Sequence, residues 1–496
     1  MNELQDLVAL IRANTPLIVI ETPDEPRVLA LFRQALGQAW RALWRWSITE
    51  GLCRMDLGGE QASGIAPDAS STLAAIRNAN QRGIYLLLDF HPYLQYATTQ
   101  RMLRDILQRG DGQQPHVIVM VGAKVELPDE LEALATRFNP HLPDAEALRT
   151  IVADEAAHYA REHGGRRAEV NQDAATLIVR NLQGLSETDA RRIARQLIFR
   201  DGALNHDDLP ALAKLKFELL NKSGHLHYEY DTARFADVAG ARKLKRWVEQ
   251  RRRVFVEGDA PLGLDPPKGI LLLGVQGCGK SMLAKAIAGG FQVPLVRLDF
   301  GTLYDKYHGE TEKNLRAALA STEQLAPCVL WIDEIEKGLS SDGGDGDGGV
   351  SRRVLGFLLT WMAERKSRVF LVATANQIDA LPAELLRKGR FDEIFFVDLP
   401  DADVRAELFR LHLAKRGLDP AGFDLPALAQ ASEGFSGAEI EQVIVAALYA
   451  AHGVGMPVKD FTLRQEIKAT RPLSVVMREQ VDALRDWAAS RTVPAD

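Results

Sequence analysis

The residue types able to do chemistry concentrate in the second half of the chain. Residues 268–283 read KGILLLGVQGCGKSML, which sets Gly274, Gly277 and Gly279 ahead of Lys280 and Ser281 in the G-x-x-x-x-G-K-S spacing of a phosphate-binding loop. That chemistry needs glycine, because successive backbone N–H groups must face one concavity that side chains would obstruct. Lys280 can then meet the β- and γ-phosphates, and Ser281 can offer its hydroxyl to Mg²⁺. The helix that follows turns its positive end toward the phosphate charge. Further on, CVLWIDEIEK (328–337) is an apolar run ending in two acids. Asp333 is placed to hold Mg²⁺ through water, and Glu334 to polarise a water for in-line attack on a γ-phosphate. A bare glycine turn or a capped strand end explains neither the complete loop pattern nor the acid pair on a second buried strand. Gln276, Cys278 and Met282, within and just after the loop, complete the expected nucleotide contacts there.

These residues need strands to hold them. Apolar runs near 269–274, 294–299, 328–333, 368–375 and 393–398 read as parallel strands separated by helical or loop sequence. Runs near 17–22, 84–89 and 116–122 predict an earlier α/β module. Each sheet should be followed by a small helical lid, near 144–205 and 401–470. The expected division is a first module over 1–205, a linker over 206–233, a core over 234–400, a lid over 401–470 and a tail helix over 471–496.

Composition narrows the class. Apolar residues at 46% and charged residues at 26% suit a globular protein and speak against disorder or membrane residence. The net charge of -7, without a long Lys/Arg block, argues against a dedicated nucleic-acid binder. Cys53, Cys278 and Cys328 are too scattered for a disulfide framework or a zinc site, which fits a reducing compartment, with the cytoplasm as the expectation. No apolar run approaches a membrane span, and no H-E-x-x-H segment suggests a protease.

From about Phe235 to Leu473 the sequence resembles the AAA subgroup of the AAA+ ATPases. In FADVAG (235–240) the resemblance places Asp237, Val238 and Gly240 beside the adenine. VFLVATANQIDALPAELLRKGRFD (369–392) is similar to the family's second region of homology, which implies that Asn376 helps orient the attacking water. It also implies that Arg387 and Arg390 are arginine fingers reaching a neighbouring subunit's site, where such a group is worth roughly a thousandfold or more in rate. GFSGAEIEQVI (434–444) resembles the start of a lid helix that packs Gly437 and Ala438 near the nucleotide sugar and base. LYDKYHGETEKNLR (303–316) is similar to the family's first pore loop, with Tyr307 as the aromatic, although His308 stands where an aliphatic residue is usual. The resemblance implies ATP and Mg²⁺ as ligands and a homo-oligomer, a hexamer foremost. In SSDGGDGDGGVSRR (340–353), Asp342, Asp345 and Asp347 do not form a calcium loop, because the twelfth position is Arg353 rather than glutamate. A mobile glycine-rich loop is the expectation there.

The same order of segments appears earlier in worn form. IYLLLDFHPYL (84–94) parallels VLWIDEIEKGL, retaining Asp89 and placing Phe90 where the catalytic glutamate should stand. LQGLSETDARRIARQLI (182–198) parallels SEGFSGAEIEQVIVAAL (432–448). The segment that should hold the phosphate loop, LIVIETPDEPRVLALF (17–32), has no glycine and no lysine. The fold expected is therefore α/β, tandem AAA+ modules, each a parallel sheet with helices and a helical lid, the first degenerate and unable to bind ATP through such a loop. The whole arrangement resembles an AAA+ family of bacteria and cyanobacteria that also occurs as a reading frame of algal plastids. The functional expectation is an ATP-driven remodeller of protein complexes, with a nucleotide-controlled scaffold as the alternative.

Overall fold

The computed structural model describes residues 3–38, 41–56, 61–108, 116–221, 224–230, 232–257, 264–303, 310–339 and 348–496. Tyr307, His308, Asp342, Asp345 and Asp347 lie outside the described residues. The chain divides into two compact units, residues 1–169 with 182–203 and residues 170–181 with 204–496. No helix of the described residues is long and apolar enough to cross a membrane.

The first unit is built on β1 (Leu17–Glu21), β2 (Ala42–Ser47), β3 (Gly51–Arg54), β4 (Gln61–Ala62), β5 (Gly83–Leu88), β6 (Val117–Gly122) and β7 (Ala135–Arg137), in the order β4-β3-β2-β5-β6-β1-β7. The strands from β2 to β7 along that row are parallel, and β3 and β4 extend the edge antiparallel. Alternation along the strands feeds two apolar layers, as the two-residue period of a strand requires. Ile18, Ile20, Ile84 and Leu86 pack in one layer, while Leu17, Val19, Tyr85 and Leu87 pack in the other. Both faces are covered, so the central strands read as unbroken apolar runs. After the sheet, helices Ala145–Glu162 and Glu187–Asp201 are clamped by Glu155, which accepts from Arg191 Nη1 at 3.1 Å and Arg195 Nε at 2.7 Å. Strands β8 (Glu169–Val170) and β9 (Ala203–Leu204) form a short ladder of their own.

The second unit repeats the plan with β10 (Leu226–Glu229), β11 (Gly269–Gly274), β12 (Leu295–Leu298), β13 (Cys328–Ile332), β14 (Val369–Ala375), β15 (Glu393–Val397) and β16 (Val493–Pro494), ordered β10-β12-β13-β14-β11-β15-β16. Its five central strands β12-β13-β14-β11-β15 run parallel, in the same relative chain order as β2-β5-β6-β1-β7. Ile270 and Leu272 face one core layer, and Leu271 and Leu273 the other. The lid is four helices, Ala402–Lys415, Leu425–Ala431, Gly437–Gly453 and Asp460–Ala469, around Phe409, Leu413, Ile440, Ile444 and Leu463.

Two expected boundaries change. The stretch 206–233, expected as a linker, carries helix Asp208–Leu220, whose Phe217 is buried in the core, and strand β10, which pairs antiparallel with β12. The stretch expected as a tail helix contributes Leu484 and Ala488 of helix Arg478–Ala488 to the same core and adds β16 beside β15. Both segments have apolar residues to bury, and both sheet edges offer unpaired backbone groups to receive a strand.

Candidate nucleotide site

The glycine-rich loop leaves the C-terminal end of β11, the middle of three adjacent parallel strands. A Cβ at Gly274 would come within 2.1 Å of the Val397 carbonyl oxygen, so β15 passes too close for any side chain there. Gly277 and Gly279 take φ of 80° and 86°, the left-handed region open to glycine. Gly279 caps helix Lys280–Phe291 without a side-chain hydrogen bond. The first N–H groups of that helix are thus left for an anion. Lys280 is buried, and its Nζ donates to the Gly274 and Val275 carbonyls at 2.8 and 2.9 Å. Burial pulls its pKa down; Cys278, Glu336, Asp333 and Glu334 oppose that shift. Burial also pushes the Cys278 thiol up to about 12, which makes it a packing group rather than a nucleophile. Gln276 and Ser281 are exposed, as is Met282.

The acid pair follows β13. Ser281 Oγ donates to Asp333 Oδ1 at 3.4 Å, an all-oxygen pair that fits a hard cation completed by water. Thr374 Oγ1 on β14 donates to the same oxygen at 2.6 Å and accepts from the Glu334 N–H at 2.9 Å. Asn376 Nδ2 donates to Glu334 Oε1 at 2.8 Å, and Lys337 pairs with Glu334 Oε2. Asn376 is itself fixed, since its backbone N–H donates to Glu336 Oε1 at 2.8 Å. Glu336 is 4% exposed, and its other oxygen is buried without a partner among the described residues. The sequence reading missed Thr374, Glu336 and Lys337, although all three lie within segments it quoted.

The lid meets the loop directly. Ser436 and Glu439 form a capping box at the start of helix Gly437–Gly453, and the Ala438 N–H donates to the Gly277 carbonyl at 3.1 Å. A Cβ at Gly437 would lie 3.6 Å from that carbonyl oxygen. The segment 235–240 joins the lid as well, through the Gly240 N–H to Glu407 Oε2 at 3.2 Å; Val238 is buried, and Asp237 caps its own turn by accepting from the Arg234 N–H at 2.9 Å. Two contacts have no local signal. Arg485 of the C-terminal helix grips Asp398, just past β15, at 2.9 Å, and the Leu473 N–H donates to Glu439 Oε1 at 2.7 Å. Arg387 and Arg390 stand apart from the acids. Arg387 is exposed, Arg390 donates to the Leu359 carbonyl, and neither has an ion pair with Asp333 or Glu334 among the described residues.

The equivalent position in the first unit corrects the expectation for Phe90. Glu334 and Asp89 both take φ of 48°, and the residue after each, Ile335 or Phe90, is fully buried. Asp89 therefore occupies the place of Glu334, and Leu88 the place of Asp333. The first unit has no carboxylate at the position of Asp333.

Four family models match the chain: AAA, the ATPase family associated with various cellular activities, over residues 270–399; the SpoVK-like AAA ATPase N-terminal domain over 3–140; the SpoVK-like second domain over 146–223; and the AAA+ lid domain over 422–456. Relatives bearing the name uncharacterized AAA domain-containing protein ycf46 align along nearly the whole length. That of Pyropia yezoensis is 33% identical over 494 residues, 98% of each chain. That of Trieres chinensis is 33% identical over 487 residues, 98% of this chain and 96% of the relative, and that of Guillardia theta 33% over 497 residues, 99% and 96%. The chain belongs to the ycf46 family of AAA domain-containing proteins. Its ycf46-type architecture thus comprises an AAA ATPase domain with its lid, preceded by two SpoVK-like domains, and the second of these runs through much of the stretch expected as a linker.

Proposed function

We propose that this chain binds one ATP in its second unit and hydrolyses it with Glu334 as the base. The observation that carries the reading is the hydrogen bond from Asn376 to Glu334, set beside the Ser281–Asp333 pair and the glycine-rich loop. Lys280, released from the loop carbonyls, would reach the β- and γ-phosphates, and the loop and helix N–H groups would cradle them. Ser281 and Asp333 would hold Mg²⁺, which neutralises charge on the transferred phosphoryl group. Glu334 takes a proton from the attacking water, and Asn376 keeps its carboxylate in place. Glu336 acts one step back, as a positioning residue for Asn376.

Arg387 and Arg390, with no ion pair to Asp333 or Glu334 among the described residues, suit a site completed by a neighbouring subunit. An oligomeric remodeller of protein complexes is the role we favour. A nucleotide-controlled scaffold has one observation behind it: both Glu334 oxygens are engaged, by Asn376 and Lys337, so the base is restrained.

ATP turnover per chain, measured against protein concentration with Glu334→Gln as the blank, tests the two roles. A steep rise as a larger assembly forms, lost in Arg390→Ala with ATP binding retained, supports the remodeller. Assembly on ATP with turnover no higher than the blank replaces it with the scaffold.

A further inference from the structure

Among cavities, charged helices, exposed lid residues and buried ionisable groups, one contact in the first unit stands out because it repeats a contact of the second with different chemistry. Asp24 sits three residues past the end of β1, as Gly277 sits three past the end of β11. Thr188 sits two residues past Ser186, the cap of helix Glu187–Asp201, as Ala438 sits two past Ser436. In the second unit the Ala438 N–H donates to the Gly277 carbonyl. In the first, Thr188 Oγ1 donates to Asp24 Oδ1 at 2.9 Å and its N–H to Asp24 Oδ2 at 3.4 Å.

Asp24 has a nearer use for its carboxylate. It is the N-cap residue of helix Glu25–Leu36, where an aspartate ordinarily accepts from the first turn, yet it makes no such bond. The carboxylate reaches instead across 164 residues, is 5% exposed, and lies at the N-terminus of the lid helix. A negative charge there is favoured by the helix dipole and by the N–H groups the helix leaves open. Ser186 accepts from the Asp189 N–H and Asp24 from the Thr188 N–H, so the two side chains take different donors of the helix's first turn. Asp24 and Thr188 also line a cleft of about 440 Å³, so their bond bridges two layers beside an open space.

We propose that Asp24 takes the place of the loop carbonyl that meets the lid in the second unit, its charged carboxylate pinning the lid of the first unit to its core so that this unit stays closed without nucleotide. The strand-to-helix connection spans residues 22–24, against 275–279 in the second unit, which leaves too little backbone to wrap a phosphate. A unit locked in this way gives the chain one fixed half and one half free to respond to ATP. The lock does not depend on turnover by the second unit.

Hydrogen exchange of the amides at 186–190 in the full chain tests it. Asp24→Ala is expected to speed exchange there at least tenfold, Thr188→Val to speed it less, and the double variant to match Asp24→Ala alone. Unchanged exchange in Asp24→Ala, or a double variant whose effect is the product of the two singles, overturns the lock. If Asp24→Ala does not fold, Asp24→Asn, which keeps one acceptor oxygen, must still speed exchange at 186–190, and wild-type exchange in it overturns the lock. In a Lys280→Ala background ATP should leave exchange at 186–190 unchanged; slowing by ATP there would show a site that still takes nucleotide and would refute the lock.

Discussion

Two halves of one chain share a strand order and part company at three corresponding places. After the first core strand, the second unit has a glycine-rich loop with Lys280 and Ser281, where the first has Thr22-Pro23-Asp24. At the end of the third core strand, Asp333 and Glu334 answer to Leu88 and Asp89. Where the lid meets the core, a backbone carbonyl in one unit is replaced by a carboxylate in the other. The apolar strand interiors, the covered faces and the serine cap of the lid helix are common to both. The scaffold and the chemistry are thus specified by separate residues. Alternating burial along the strands holds the sheet, while a few side chains at the strand ends decide whether a nucleotide can be held.

Making the same change in both units separates them most. Glu334→Gln should lower ATP turnover by about 10²- to 10⁴-fold, the usual worth of a positioned base. Asp89→Asn, at the matching backbone position, should leave it unchanged, and steady-state phosphate release measures both. A loss in Asp89→Asn would mean that the first unit takes part in the chemistry. Binding stoichiometry is the next test. Calorimetry should give one ATP per chain, and Lys280→Ala should weaken it by about a hundredfold or more, the scale of losing a charged partner from a desolvated contact. A second equivalent of ATP retained in that variant would place a working site in the first unit.

How far the sequence carried this picture follows from what each feature depends on. The phosphate loop and the acid pair are local spacings, so they are legible without partners. Strands β5, β6, β11, β13 and β14 are buried on both faces and announce themselves as apolar runs. Strands β4 and β16 are two residues long, and β10 is an edge strand that pairs with β12; only a neighbouring strand makes them strands. Matching aspartate to aspartate sets Asp89 one place out of register, because the left-handed φ it shares with Glu334 appears only in the backbone. The Arg485–Asp398 and Thr188–Asp24 contacts join residues far apart in sequence and leave no local trace.

A smaller effect sharpens the comparison at the residues that support the base. Glu336 fixes the Asn376 backbone, and His91 stands at its place in the first unit. Glu336→Ala leaves a part-buried N–H without its acceptor and should lower kcat about tenfold with the KM for ATP unchanged. Glu336→Gln keeps an acceptor oxygen and should restore most of the rate. A glutamine variant as slow as the alanine one would assign the effect to charge beside Lys280 instead of to the hydrogen bond.

The smallest expected effect concerns restraint of the base. Lys337 is largely exposed, and its ammonium is held above its usual range by the hydrogen bond to Glu334. While that pair persists, Asn376 holds one Glu334 oxygen in place and the Lys337 ammonium competes with the attacking water for the other. Lys337→Met should therefore raise basal turnover, by no more than about fivefold, the ceiling that a solvent-screened ion pair sets. High salt should raise the wild-type rate in the same direction and leave the variant unaffected. A fall in turnover would reverse the assignment, making Lys337 a group that helps the reaction, and a rise that persists on Glu334→Gln would show that the change acts elsewhere than through the base.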